Sequence, residues 1–261
     1  MRPVVTPSEM RAVDAAASHP TEVLVQRAGA AVARVAVRMM GGTYGRTVVV
    51  VAGKGHNGAD GRVAASILRD AGVRIIEVDA ASPPHALPAA DLVIDAGYGT
   101  GFRGTWPAPS TSSPVLAVDI PSGVDAATGA APGPVMRATR TVTFQALKPG
   151  LLVPPGRELA GVVEVADIGL GMGVAAVAHA HAVDRDDVTS WLPPRAVDAH
   201  KWRSAVRVVA GSTRSVGASP AAPAAVAEAT SIAARNGPCH ALRARIAPFR
   251  PASAARLRTA T

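Results

Sequence analysis

Cysteine is nearly absent from the 261-residue chain: Cys239 stands alone. An intramolecular disulfide is therefore excluded, and so is a cysteine-rich metal site. Aromatic residues make up only 3% of the chain, and Phe249 is the sole one after residue 212. That leaves no stacking platform of the kind single-stranded nucleic acid needs, so nucleic acid is not an expected partner. Lysine is scarce too, limited to Lys54, Lys148 and Lys201. The arginine bias has a bland cause in genome base composition, but all three lysines fall inside or beside the motif stretches described below. No apolar run reaches about 18 residues, so a membrane span is not expected. The N-terminus has no apolar signal core. This composition agrees with a soluble, cytoplasmic enzyme, and 261 residues suffice for one large or two small domains.

The most informative stretch is Gly53-Lys54-Gly55-His56-Asn57-Gly58-Ala59-Asp60-Gly61. It follows the apolar run Thr47 to Ala52 and precedes a helix-like run from Arg62 to Leu68. A buried strand thus enters a glycine-rich turn that opens a helix, where free N–H groups and the helix dipole favour an anion. Asn57 and Asp60 are additional side chains that a plain phosphate cradle does not require. Gly53, Gly55 and Gly58 formally satisfy the G-x-G-x-x-G pattern, and Asp79 stands where a ribose-binding acid would be expected. A dehydrogenase is therefore one reading. Asp60 counts against it, because a carboxylate in the first turn repels a pyrophosphate, unless Asp60 is simply a helix cap.

Three more strand ends carry polar turns. Asp91 to Asp95 leads into Ala96-Gly97-Tyr98-Gly99-Thr100-Gly101-Phe102-Arg103-Gly104. Val115 to Asp119 leads into Ile120-Pro121-Ser122-Gly123. Thr141 to Phe144 leads into Gln145-Ala146-Leu147-Lys148-Pro149-Gly150. Open parallel sheets bind ligands beyond the carboxyl ends of their strands, and four such turns in order are hard to ascribe to loop capping. Thr21 to Met40 sets Leu24, Ala28, Ala31, Val32, Val35 and Met39 on one helical face, with Thr21 as the expected N-cap. Strands alternating with helices predict a Rossmann-like, doubly wound, mostly parallel sheet in an α/β/α sandwich. Ser82 to Pro88 and Pro107 to Pro114 read as loops, the second expected to be mobile.

The set of motifs resembles the NAD(P)H-hydrate epimerase family, also known as the YjeF N-terminal domain. Its typical blocks are G-x-G-N-N-G-G-D-G, D-A-x-x-G-T-G-x-x-G, D-I-P-S-G and K-P-G. They appear here in order between about Thr6 and Gly169, with Glu9 to Asp14 and Gln26 to Gly29 also matching. His56, Ala59 and Lys54 depart from the usual Asn, Gly and Pro. The resemblance implies interconversion of the R and S hydrates of NADH and NADPH, in which the dinucleotide is substrate and no redox cofactor is used. It also implies a potassium ion held by Asn57, Asp95 and Ser122. Substrate would be held by His56, Asn57, Gly58, Ala59 and Asp60 and by the loop Gly99, Thr100, Gly101, Phe102, Arg103, Gly104 and Thr105. Asp119 and Lys148 would face the hydrated ring as catalytic residues, and a homodimer is implied as well. A non-catalytic nucleotide-binding or scaffold version of the domain is the alternative; such a version would be expected to lose Asp119, Lys148 or Asn57.

The residue types suit that chemistry. Nitrogen lone-pair donation can expel the ring hydroxyl as water and leave a planar cation, and water returning to the other face inverts the centre. This needs an acid/base near the hydroxyl and a negative environment for the cation. Asp119 can supply both, with Lys148 orienting it or donating a proton; ring opening is a rival route.

After about residue 170 the chain changes character. The expected organisation is a domain over 1–170, a linker and dehydratase-like segment over 171–212, and a basic tail over 213–261. His200-Lys201 and Val206 to Ser212 resemble the opening of an ADP-dependent hydrate dehydratase domain, but no G-x-G-D motif follows. Residues 213–261 hold seven Arg and one Glu, which is six of the chain's eight formal positive charges. A truncated or frame-shifted dehydratase segment is the expected account of that tail, and dehydratase activity is not expected.

Overall fold

A computed structural model describes residues 1–191. The tail and the dehydratase-like residues from His200 onward lie outside the described residues. The elements run β1 (Arg2–Val4), α1 (Pro7–Ala15), α2 (Thr21–Met40), β2 (Thr47–Ala52), α3 (His56–Asp70), β3 (Arg74–Asp79), β4 (Leu92–Ala96), β5 (Val115–Val118) and β6 (Arg140–Phe144). A single 3₁₀ turn (Pro149–Leu151) precedes α4 (Gly156–Leu159), β7 (Val162–Ala166), α5 (Gly171–Val177), β8 (Ala180–Ala182) and α6 (Arg185–Trp191).

Six strands form one parallel sheet in the order β3-β2-β4-β5-β6-β7. The chain moves outward from β2 to β3 and then restarts on the opposite side at β4. The sheet is therefore the helix-flanked α/β arrangement expected from the motif order, with its switch point between β2 and β4. Four consecutive valines, Val48 to Val51, are fully buried in β2, as befits a central parallel strand covered on both faces. Val48, Val50 and Ala52 pack with the apolar faces of α2 and α3. Val49 and Val51 point the other way, into a second cluster in which Trp106, Met136 and Ala138 are supplied by loops. A Cβ on Gly29 of α2 would meet Val63 Cγ1 of α3 at 2.4 Å, so that glycine sets how closely the two helices approach.

Several boundaries differ from the sequence reading. Thr21 is the first helical residue of α2 and not its cap; Pro20 holds the N-cap position in extended backbone, with no side-chain cap. The capping box lies instead at α1, where Thr6 Oγ1 accepts from Glu9 N at 3.2 Å and Glu9 Oε2 accepts from Thr6 N at 2.7 Å. α3 begins at His56 rather than near Arg62, because the extended Gly55 serves as N-cap. Asp60 is consequently inside the helix and caps nothing. The two Pro/Ser-rich loops are joined: Leu87 N donates to Ser110 O, and Ser110 N to His85 O, both at 2.9 Å.

Residues 171–191 pack back on the same unit. β8 pairs antiparallel with β1, and a Cβ on Gly173 of α5 would lie 3.0 Å from Val13 of α1. The boundary near 170 read from the sequence thus falls between β7 and α5. No helix of the described residues is long and apolar enough to cross a membrane.

Candidate active site

The glycine-rich turn lies at the switch point for steric reasons. A Cβ on Gly53 would sit 2.0 Å from Gly97 O, and one on Gly58 would sit 1.8 Å from Gly53 O. Only glycines let the end of β2, the first turn of α3 and the end of β4 come this close. Gly53 N donates to Ala96 O at 3.1 Å, and Arg62 Nη1 donates to Gly53 O at 2.9 Å, closing the turn from the helix side.

The loop after β4 is fixed by aromatics, few as they are. The Tyr98 and Phe102 rings are 5.0 Å apart and the Tyr98 and Trp106 rings 5.8 Å apart. Buried Trp106 donates its Nε1–H to Ala80 O at 2.8 Å. This anchors both ends of the segment that contains Gly99, Thr100 and Gly101.

Asp119 stands just past β5 with φ at 66°, and Gln145 just past β6 with φ at 63°. Neither is glycine, so both hold left-handed backbone at a steric cost of about 1–3 kcal/mol each. Each is the centre of a tight turn: Ile120 N donates to Val118 O at 2.9 Å, and Ala146 N to Phe144 O at 2.7 Å. The first turn directs the Asp119 carboxylate at its partners. Lys148, 1% exposed, donates from Nζ to Asp119 Oδ1 at 2.7 Å, Thr143 Oγ1 at 2.8 Å and Phe144 O at 3.0 Å. Thr143 Oγ1 donates in turn to Asp119 Oδ1 at 3.1 Å, and Thr100 N to Asp119 Oδ2 at 3.1 Å. The sequence reading found Asp119 and Lys148 but missed Thr143, which bridges them, and the turn-forming role of Gln145, whose Oε1 accepts from Ile168 N and Leu170 N.

Asp95 and Ser122 meet behind this group. Ser122 Oγ donates to Asp95 Oδ1 at 2.6 Å, Ser122 N to Asp95 Oδ2 at 2.9 Å, and Tyr98 N to Ser122 Oγ at 2.8 Å. Burial pushes the Asp95 carboxyl up to about 6, with the Ser122 and Gly97 hydrogen bonds working in the opposite direction. Asn57 Nδ2 is buried without a hydrogen-bond partner among the described residues. Asp60 is 7% exposed; burial first, then the Asp119 charge, push its carboxyl up to about 8.

A cavity of about 760 Å³ opens over these groups, a size typical of small-molecule sites. Of the expected residues, His56, Asn57, Asp60, Gly99, Thr100, Gly101, Phe102, Asp119 and Lys148 line it. Gly58 and Ala59 do not line it, and Asp95 and Ser122 lie behind it. Arg103 turns outward, donating to Phe102 O at 2.5 Å and lying 3.7 Å from Asp125; Gly104 and Thr105 are exposed beyond it. Asp79 is also outside the cavity: it caps its own turn, accepting from Ala81 N at 2.9 Å. The lining adds residues the sequence reading had not assigned to a site, among them Arg11 and Asp14 of α1 and Lys54. The Asp14 carboxyl is pushed up, chiefly by burial.

The sequence profile of the family described as YjeF-related protein N-terminus matches residues 21–90 and 77–150. Among similar proteins, the bifunctional NAD(P)H-hydrate repair enzyme Nnr of Moorella thermoacetica is 33% identical over 90% of this chain and 52% of its own length. The NAD(P)H-hydrate epimerases of Limosilactobacillus fermentum and Limosilactobacillus reuteri are each 34% identical, over 62% and 67% of this chain and 95% and 98% of their own lengths. The chain spans about half the length, or less, of the bifunctional relatives it matches. With the motifs converging on one cavity at the switch point, these matches lead to one conclusion: the chain belongs to the YjeF-related protein N-terminus family and is similar to proteins named NAD(P)H-hydrate epimerase over nearly their whole length.

Proposed function

We propose that the protein interconverts the R and S hydrates of NADH and NADPH, as the first step of nicotinamide nucleotide repair. The observation that carries this reading is the buried Asp119–Lys148 pair, held by Thr143 and Thr100 at the floor of a cavity that all four strand-end motifs help to build. Expelling the ring hydroxyl as water creates a cation. The Asp119 carboxylate on the cavity floor stabilises it electrostatically in a partly desolvated setting, where such interactions are strongest. Asp119 exchanges a proton with the reacting oxygen, and the three acceptors of Lys148 Nζ fix the geometry of that carboxylate. Lys54 and Arg11 give the cavity cationic groups suited to the pyrophosphate. Incubation of pure R hydrate, followed by chromatographic separation of the epimers, tests the reading.

A potassium ion is part of the same proposal. Asn57, Asp95 and Ser122 offer only hard oxygen donors, which suit such a cation. The Asn57 carbonyl supports the fit, since Oδ1 takes no hydrogen bond among the described residues and faces Gly99 at the cavity edge. When bound, the ion would tie the β2–α3 turn to the loops after β4 and β5 electrostatically, and every chemical step above is carried by the side chains themselves. The lone cysteine is in keeping with a cytoplasmic site of action. A homodimer belongs to the same reading, and light scattering on the purified protein checks it.

A further inference from the structure

Asp60 is an unusual carboxylate. It is 93% buried, lines the cavity, forms no ion pair and accepts no hydrogen bond among the described residues. Asp119, from a different element, is served by Lys148 Nζ, Thr143 Oγ1 and Thr100 N. On the epimerase reading, which this inference deepens, the hydroxyl leaves one face of the ring and water adds to the other. A carboxylate fixed by those donors cannot swing from one face to the other. A second proton carrier is required, and only an uncommitted one can be free to meet the reacting oxygen.

We propose that Asp60 is a second catalytic residue, the proton donor and acceptor for one face of the hydrated ring, with Asp119 serving the other. In one direction the C–O bond breaks, its electron pair leaves on oxygen, and the Asp60 proton joins that oxygen to make water. The ring-nitrogen lone pair becomes the C=N bond of the cation. Water then attacks the opposite face, the C=N pair returns to nitrogen, and the surplus water proton passes to Asp119. The opposite direction uses the same two groups in reverse, and exchange with solvent resets them between turnovers. Burial and the neighbouring Asp119 charge keep the Asp60 proton in place up to about pH 8, which suits a donor at neutral pH. The other titratable groups on the cavity are Asp14, Lys54, His56, Tyr98 and Lys148, with Arg11 as a fixed charge.

The test uses pure R and pure S hydrates in ¹⁸O-water, with inversion read by chromatography and oxygen exchange by mass spectrometry. The wild type inverts both epimers and exchanges their oxygen. Asp60→Asn loses about 10²- to 10⁴-fold in inversion with little change in KM, yet one epimer still exchanges its oxygen without inverting, through the intact Asp119 face. Asp119→Asn shows the mirror result, with exchange confined to the other epimer. Independently of any variant, wild-type inversion falls as pH rises past about 8. Asp60→Asn inverting at the wild-type rate, losing inversion through KM alone, or losing exchange in both epimers together would overturn the proposal and leave Asp60 a binding residue. A wild type that interconverts nothing overturns the epimerase reading itself, and this proposal with it.

Discussion

Replacing Lys148 by Met isolates the energetics of the site. The lysine is 1% exposed and spends its ammonium on three acceptors, so Met fills the volume but leaves those acceptors short of a donor. Most of the cost comes from Asp119, which keeps Thr143 and Thr100 N but loses its counter-charge. Breaking a buried pair by removing one partner costs about 3–5 kcal/mol. Asp119 is 8% exposed and borders the cavity, where water can reach it, which puts the expected cost near the lower bound. About 3 kcal/mol corresponds to a fall in melting temperature of roughly 6–12 °C for a domain of this size. Urea unfolding followed by circular dichroism at pH 7 measures it. In an Asp119→Asn background the same change should cost only about 1 kcal/mol, because no charge is stranded, giving a coupling of about 2 kcal/mol. A Lys148→Met cost below about 1 kcal/mol, or additivity with Asp119→Asn, would refute the view that the two form one electrostatic unit.

Gly99→Ala should spare the fold and lower epimerisation at least tenfold, since its Cβ would press on Asp119 Oδ2 at 3.0 Å and Asn57 Oδ1 at 3.2 Å; steady-state rates with a melting curve separate the two effects. Asn57→Ala should raise the potassium concentration needed for half-maximal thermal stabilisation, and a melting temperature that ignores potassium in both proteins counts against the ion site. The native protein holds the Asp60 proton to about pH 8, whereas the unfolded chain releases it near pH 4. The native state therefore binds more protons across that window, so stability falls as pH rises, by at most about 1.4 kcal/mol per unit from this group. Asp60→Asn should remove that slope in urea unfolding between pH 5 and pH 8, and identical slopes in both proteins would contradict it.

What the sequence made legible was whatever depends on local pattern. The four apolar runs of β2, β4, β5 and β6, each followed by a polar turn, place the sheet and its ligand-binding edge, and α2 shows its extent through the spacing of its apolar face. Less legible was whatever depends on which strand neighbours which. Thr143 looks like an ordinary strand residue until β6 lies beside β5 and brings its hydroxyl to Asp119. The left-handed backbone of Asp119 and Gln145 carries no glycine to announce it. Asp79 has the right spacing for a ribose ligand but sits at the end of the edge strand and caps its own turn. The β1–β8 ribbon joins segments nearly the whole domain apart, and three-residue strands have too little periodicity to be read. The capping box of α1, by contrast, was there to be read in Thr6-Pro7-Ser8-Glu9.

On the function proposed above, the cavity at the β2/β4 switch point interconverts the two hydrates by proton transfer at Asp119. The most direct measurement adds the purified protein to pure R-NADH hydrate with potassium present and follows both epimers by chromatography, alongside Asp119→Asn at equal concentration. The wild type should bring either pure epimer rapidly to the same R/S ratio, and the variant should be slower by about 10²- to 10⁴-fold. Equal rates for the two proteins, or no conversion by the wild type beyond the protein-free control, would contradict that function.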